Sequence, residues 1–180
     1  EDAWDCLKKI SYLNSRMQAV LEYSAMAQFN TKEEFMEGNL FDFIEEYAMN
    51  ILNRSDRLKV QVVRSDTEGI EMKFVPQNIA IILDNVVSNS TKYNANELRV
   101  LLGKDEKQYT IDFIDDGDGV SSDIADLNEL FEFGKGYTLT GTGVGLYHIK
   151  DIVEKDLQGT VTIESEPQKG FALHVRFGKV

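Results

Sequence analysis

The sequence predicts an α+β domain, a sheet built of antiparallel hairpins and covered on one face by helices, with a long helix preceding it. Three observations carry this prediction. A helical pattern fills the start of the chain, strand patterns follow in pairs across polar turns, and shorter helical patterns lie between the pairs. Helix first and hairpins later is the α+β order.

From Ala3 to Phe29 there is no Gly or Pro, and Trp4, Leu7, Ile10, Leu13, Met17, Val20, Leu21, Ser24 and Ala27 recur at intervals of three and four. That is the period of an amphipathic helix. A stripe this long at a chain end has little of its own domain to cover it, so packing against a partner helix is expected ahead of docking within the chain. The segment "KEEFMEGN" breaks the pattern at Gly38, and "FDFIEEYAMNIL" resumes it with Asp42 and Glu45 at capping-box spacing. The expected boundary therefore divides a helical segment, 1–38, from a domain, 39–180.

Beyond it, "LKVQVV" (58–63) and "IEMKFV" (70–75) flank the turn "SDTEG" and predict a hairpin. Pro76 suits the first turn of the helix that follows, because a proline lacks an N–H that would go unpaired there anyway. Residues 97–102 and 109–115, separated by "GKDEKQ", predict a second hairpin. Residues 144–157 are helical in pattern, and 160–165 with 171–177 predict a third hairpin across a Pro/Gly turn.

Composition narrows the function. Apolar content of 42% with 28% charged residues is that of a globular domain. Nineteen basic residues against thirty-one acidic ones, net −12, argue against nucleic acid, whose phosphates need a basic face. An anionic ligand must be small and locally gripped. The single cysteine, Cys6, leaves neither an internal disulfide nor a cysteine zinc site and fits a reduced thiol in the cytoplasm. No run reaches the ~18–20 apolar residues of a membrane span, so no membrane contact is expected of this stretch. The chain opens on Glu1 rather than methionine, and the expectation is an excised piece with any targeting or membrane segment upstream.

Three stretches carry candidate chemistry. In the helix that carries "DNVVSNSTKYN" (84–94) the apolar Ile79, Ile82, Leu83, Val86 and Val87 define a buried face, and Asn85, Asn89 and Lys92 line another at i, i+4 and i+7. A solvated face is the ordinary alternative. Carboxamide oxygens are nevertheless hard neutral ligands suited to a Mg²⁺ that keeps waters and phosphates around it, and a lysine one turn on supplies charge for those phosphates. "DDGDGV" (115–120) ends a strand with an acidic Asp–Gly turn. It is either just a turn or a place where bare backbone approaches a flat ring while Asp115 accepts a hydrogen bond from an exocyclic amine. Calcium fails, because no glutamate stands at the last ligand position of a twelve-residue loop. Finally, "EFGKGYTLTGTGVGLYHI" (132–149) holds glycines at 134, 136, 141, 143 and 145. It is neither a Walker nor a dinucleotide motif, yet keeps their shared physics of free backbone amides at a helix N-terminus. Lys135 is either a phosphate contact or a solvated loop lysine.

In this order the three stretches resemble the histidine-kinase-like ATP-binding family, which also holds gyrase B subunits, mismatch-repair MutL and the large heat-shock chaperones. Asn85, Asn89, Lys92 and Tyr93 resemble its N box, Asp115, Gly117 and Gly119 its first glycine box, Phe131 and Phe133 its F box, and Gly141, Thr142, Gly143, Val144, Gly145 and Leu146 its second glycine box. The resemblance spans about residues 39–177 and implies a two-layer α/β sandwich, a mixed sheet backed by helices. It implies ATP and Mg²⁺ as cofactors, with Asn89 on the metal, Asn85 supporting metal and phosphates, Lys92 on phosphate, Tyr93 near the adenine and Asp115 on its amino group. Gly117 and Gly119 would let the base in, and 134–145 would form a short lid. Departures lie in the short lid, in the Phe-Glu-Phe spacing and in Phe171, where a Thr or Ser is common.

One residue separates the branches. Hydrolysing members typically carry a glutamate as general base four residues before the metal asparagine, and here that position is Asn85. A carboxamide cannot take a proton at neutral pH, whereas a neutral imidazole is already nucleophilic and phosphoryl transfer to it relies on positioning. The resemblance thus implies the sensor histidine kinase branch, with the helix at 3–29 as the second helix of a dimerisation and phosphotransfer hairpin. Neither His148 nor His174 sits in an acceptor motif. The acceptor histidine is expected upstream or in trans, a response regulator receiver domain downstream, and a homodimer in the full-length protein, while this chain alone should bind ATP without autophosphorylating and dimerise weakly. The alternatives are a non-catalytic nucleotide-sensing scaffold and a slow ATPase or serine kinase of the same superfamily.

Overall fold

A computed structural model describes residues 35–50, 52, 57–134 and 143–178. The helix expected at 3–29, and Lys135, Gly141 and Thr142, lie outside these residues.

The described chain runs β1 (Met36–Asn39), α1 (Leu40–Asn50), β2 (Lys59–Arg64), β3 (Glu71–Phe74), α2 (Pro76–Lys92), β4 (Glu97–Lys104), β5 (Tyr109–Asp115), a 3₁₀ turn (Leu127–Phe131), α3 (Gly145–Lys155), β6 (Thr160–Ser165) and β7 (Phe171–Phe177). Five strands form one sheet in the order β2-β4-β5-β7-β6, and β1 pairs with β3 in a small second sheet. The pair β2–β4 is parallel and the rest antiparallel, so the large sheet is mixed.

Alternation places one side of each strand on the core. Val100 faces Phe113, and Phe113 faces Leu173, while Leu102, Ile111 and Val175 form the next row. All six are buried. The helices cover this side with Leu40, Phe41 and Ile44 of α1, Ile79, Ile82, Leu83 and Val86 of α2, and Ile149, Ile152 and Val153 of α3. Burying each large side chain stabilises by about 1.5–3 kcal/mol, so these faces, not the surface ion pairs, hold the two layers together.

Helix α2 begins where the sequence places it, with Pro76 in its first turn and Val75 extended before it. Its start is tied to the end of α3 by Asn78 Nδ2, which donates to Asp156 Oδ2 at 2.6 Å. It ends at Lys92, and two residues on Asn94 lies in the left-handed region at φ 61°, a conformation asparagine tolerates better than most residues. The hairpins β4–β5 and β6–β7 and helix α3 also form as expected.

The hairpin expected between 58–63 and 70–75 does not. Strand β2 pairs with β4, and β3 turns away to pair with β1, Met36 opposite Phe74. The "SDTEG" turn is real: Arg64 Nε donates to the Asp66 carbonyl and Glu68 N–H to Asp66 Oδ1. A turn signal is local, though, and does not choose the partners of its flanking strands. Helix α1 packs against both β2 and β3, and its entry is fixed by the bond from Leu40 N–H to the Ile70 carbonyl. The strand β1 that leads into α1 is therefore carried to β3.

The capping box at Asp42 and Glu45 is likewise absent. Asn39 Oδ1 caps the helix, accepting from the Phe41 and Asp42 N–H groups at 3.1 and 3.3 Å. The two carboxylates instead take the Arg64 guanidinium at 2.6 and 3.2 Å, pinning α1 to β2.

Phe41, fully buried between α1 and the sheet with its ring edge-on to Tyr109, tests whether α1 belongs to the cooperative core. Phe41→Ala is expected to cost about 3–5 kcal/mol in urea unfolding. A loss below about 1 kcal/mol would mean that the site wall melts separately from α1.

Candidate nucleotide site

The site lies where the end of β5, the C-terminal half of α2 and the start of α3 converge. The inward alternation that buries Ile111 and Phe113 also turns Asp115 inward, at the strand's last position. Asp115 is only 9% exposed, and both oxygens of its carboxylate accept hydrogen bonds. Oδ1 accepts from Gly117 N–H at 3.0 Å and from Phe171 N–H at 3.1 Å, and Oδ2 accepts from the Ser90 hydroxyl at 2.8 Å.

Neighbouring bonds close the loop around it. Asp118 N–H donates to the Tyr93 carbonyl at 2.8 Å, and Asn94 Nδ2 to Asp118 Oδ2 at 2.6 Å. Asp116 Oδ1 accepts from the Asn96 and Glu97 N–H groups, and these bonds, that of Glu97 foremost, hold its carboxyl below the usual aspartate range. Ser165 Oγ donates to the Gly170 carbonyl and accepts from Val120 N–H, which fastens the β6–β7 turn beneath the loop.

Two glycines expected to admit a base have protein neighbours. A Cβ at Gly117 would stand 2.6 Å from the Tyr93 carbonyl, and one at Gly119 would run into the Glu166 carbonyl. Their bare backbone lets the loop close on α2 and on the β6–β7 turn.

Asn85, Asn89, Lys92 and Tyr93 share the C-terminal half of α2. The Asn85 amide donates to the Ile81 carbonyl at 2.8 Å, one turn back. Its oxygen faces the start of α3, where a Cβ at Gly145 would come within 2.7 Å of it. That glycine is what allows α3 to begin against the asparagine stripe. Val144 precedes the helix without a side-chain cap, and a helix start of this kind favours an anion in front of it. The Asn89 amide makes no hydrogen bond with the described residues. Lys92 Nζ lies 5.3 Å from the Tyr93 ring centroid, and burial pulls its pKa below the ordinary lysine value.

The remaining expected residues serve packing in the described structure. Phe131 is buried in the core with Lys150 over its ring, Val144 is buried, and Leu146 packs at the core's edge. Phe133 is exposed and meets Tyr147 edge to face at 5.3 Å. Gly134 N–H donates to the Gly143 carbonyl at 3.0 Å. Sequence reasoning missed Ser90, Asp116 and Ser165. A signal for Ser90 exists: it falls four residues after Val86 on α2's buried stripe, where a polar side chain needs a partner.

His148 is buried on α3, and His174 on β7 has Nδ1 2.7 Å from Asp112 Oδ1.

A buried carboxylate held by three donors thus stands near a helix N-terminus without a side-chain cap and a half-buried lysine. Residues 74–179 match the model of the histidine kinase-, DNA gyrase B- and HSP90-like ATPases. The chain belongs to that family, and it is an ATP-binding domain. It is 27% identical over 172 residues to the sensor protein kinase PilS of Pseudomonas aeruginosa, covering 92% of this chain and 31% of that protein. It thus spans about a third of that relative's length. Among solved structures, the catalytic domain of histidine kinase ThkA superposes with a TM-score of 0.65 at 18% identity, covering 81% of this chain and 96% of that one. The ATP-binding domain of PrrB from Mycobacterium tuberculosis gives 0.61 at 19%, covering 81% and 98%. The two-layer sandwich with a mixed sheet is the fold these domains share.

Burial holds the His148 imidazole below its ordinary 6.5, with the Asp151 carboxylate offsetting part of the effect. The unfolded chain therefore binds this proton at a higher pH than the folded one, and stability falls as the pH drops through 6.5 towards the depressed folded value. His148→Gln is expected to flatten that fall as the pH drops below about 6.5 in urea titrations. Identical slopes in the two proteins would show that His148 charges as easily folded as unfolded.

Proposed function

We propose that this chain is the ATP-binding catalytic part of a sensor histidine kinase and that it passes the γ-phosphoryl group of ATP to a histidine on an upstream or partner helix, for relay to a response regulator receiver domain. The observation that carries the reading is the side chain at position 85. Where a hydrolase of this family needs a carboxylate to deprotonate water, this chain presents a carboxamide whose NH₂ is held by the Ile81 carbonyl and whose oxygen faces α3. A carboxamide positions and does not take protons. An imidazole acceptor needs only to be placed in line with the phosphoryl group.

Each residue then has one task. Asp115 accepts the adenine amino group, and Tyr93 flanks the base. Lys92, short of solvent, gives its charge to the phosphates, and the first turn of α3 offers them N–H groups. Asn89, whose amide is not engaged by the described residues, would hold Mg²⁺, with Asn85 beside it. The donor set fits an ion that arrives on the nucleotide: among the described residues no group of three His, Cys, Asp or Glu side chains could hold a metal alone, and Mg²⁺ keeps its waters and phosphates. The ion would neutralise charge on the transferring phosphoryl group.

Residues 1–38 are proposed as the dimerisation and phosphotransfer helix and 39–180 as the catalytic domain, working in the cytoplasm as half of a homodimer in the full-length protein. No described helix is long and apolar enough to cross a membrane.

Calorimetric titration with a non-hydrolysable ATP analogue is expected to show Mg²⁺-dependent binding that Asp115→Asn weakens at least about tenfold, because the amide turns donors towards donors. With a supplied acceptor hairpin and radiolabelled ATP, the chain should phosphorylate the hairpin's histidine and Asn89→Ala should abolish transfer. ATP bound tightly with no transfer to any hairpin would leave a nucleotide-sensing scaffold.

A further inference from the structure

The Asp115 carboxylate has room for one more hydrogen bond, and Ser90 decides where. A carboxylate oxygen offers about two lone-pair sites. The Gly117 and Phe171 N–H groups occupy both on Oδ1, and the Ser90 hydroxyl occupies one on Oδ2. One site on Oδ2 stays free.

We propose that Ser90 is a positioning and specificity-determining residue for the nucleobase, its hydroxyl setting the direction in which Asp115 offers its last lone pair. The inference rests on the ATP-site reading above and adds to it a residue that makes the floor of the site accept and never donate. A hydroxyl has a single proton. Ser90 gives that proton to Asp115, so both groups present only lone pairs to a base. An exocyclic amine is taken there, and a ring carbonyl in its place meets oxygen against oxygen.

The placement of Ser90 supports a dedicated role. It is 1% exposed, and a buried hydroxyl must be paired. Inside a helix a serine commonly bonds back to the carbonyl one turn earlier, but this one reaches across to another element 25 residues away in sequence. It also follows Asn89 directly, so the base acceptor and the asparagine stripe are held by adjacent residues of α2. Among the described residues no other group donates to Asp115 Oδ2. Ser90→Ala would leave that oxygen unanchored while keeping the helix, since alanine is the better helix former.

The test is calorimetric titration of the wild-type chain and Ser90→Ala with a non-hydrolysable ATP analogue and with its inosine counterpart, which carries a carbonyl in place of the amine. Wild type is expected to prefer the adenine compound. Ser90→Ala should bind it about three- to tenfold more weakly, the worth of one hydrogen bond, while the inosine compound binds unchanged or tighter, so the preference shrinks. Equal loss for both compounds, or no loss for either, would reduce Ser90 to a packing residue and overturn the inference. Wild type binding both compounds alike would overturn it too while leaving the nucleotide site in place, whereas wild type binding neither would overturn the nucleotide reading itself.

Discussion

One buried carboxylate joins three elements that are distant in sequence. Asp115 sits at the inward end of β5, and its hydrogen-bond donors come from α2, from the loop after β5 and from the start of β7. A buried acceptor left unpaired costs about 1–3 kcal/mol. Seating α2, turning the loop and registering β7 against β5 are therefore one problem with one solution. The arrangement that satisfies Asp115 is also the one on which the proposed base site rests.

The remaining contacts make this junction stiff. The loop is bonded to α2 through Tyr93 and Asn94 and to the β6–β7 turn through Gln168 and Ser165. Its glycines are spent on close backbone approach, so the loop cannot retreat without opening those bonds. Across the site, Gly145 brings the open end of α3 against Asn85. A helix N-terminus attracts anions only where its amides are exposed and a ligand can be held in front of them. The asparagine stripe and Lys92 stand where such a ligand would be gripped.

Stability and function draw on different atoms. The apolar faces of three helices and one side of the sheet supply the burial, while exposed pairs such as Lys155–Asp151 are worth about 0–1 kcal/mol. Polar pairs between elements contribute little net energy and decide instead which packing is allowed. Asn78 with Asp156, Arg64 with Asp42 and Glu45, and Ser90 with Asp115 each fix how one element lies on another. At position 85 a carboxamide keeps the shape of a carboxylate without its basicity.

By itself, the sequence determined whatever is local: the span and buried face of α2 from its apolar spacing and Pro76, the two hairpins whose strands adjoin in the chain, the helix after the glycine-rich stretch, and the asparagine stripe with Asp115 at a strand end. Only the tertiary structure decided the strand partners of β2 and β3, because a turn constrains its own backbone and not the neighbours that the flanking strands find across the core. It also decided that Asn39 rather than the Asp42–Glu45 pair caps α1, since those carboxylates have a guanidinium to hold on another strand. Ser90 falls on the buried stripe of α2, which marks it as a polar side chain that needs a partner but does not name that partner. Its role depends on a donor and an acceptor meeting across 25 residues of chain, and such a meeting is a property of packing.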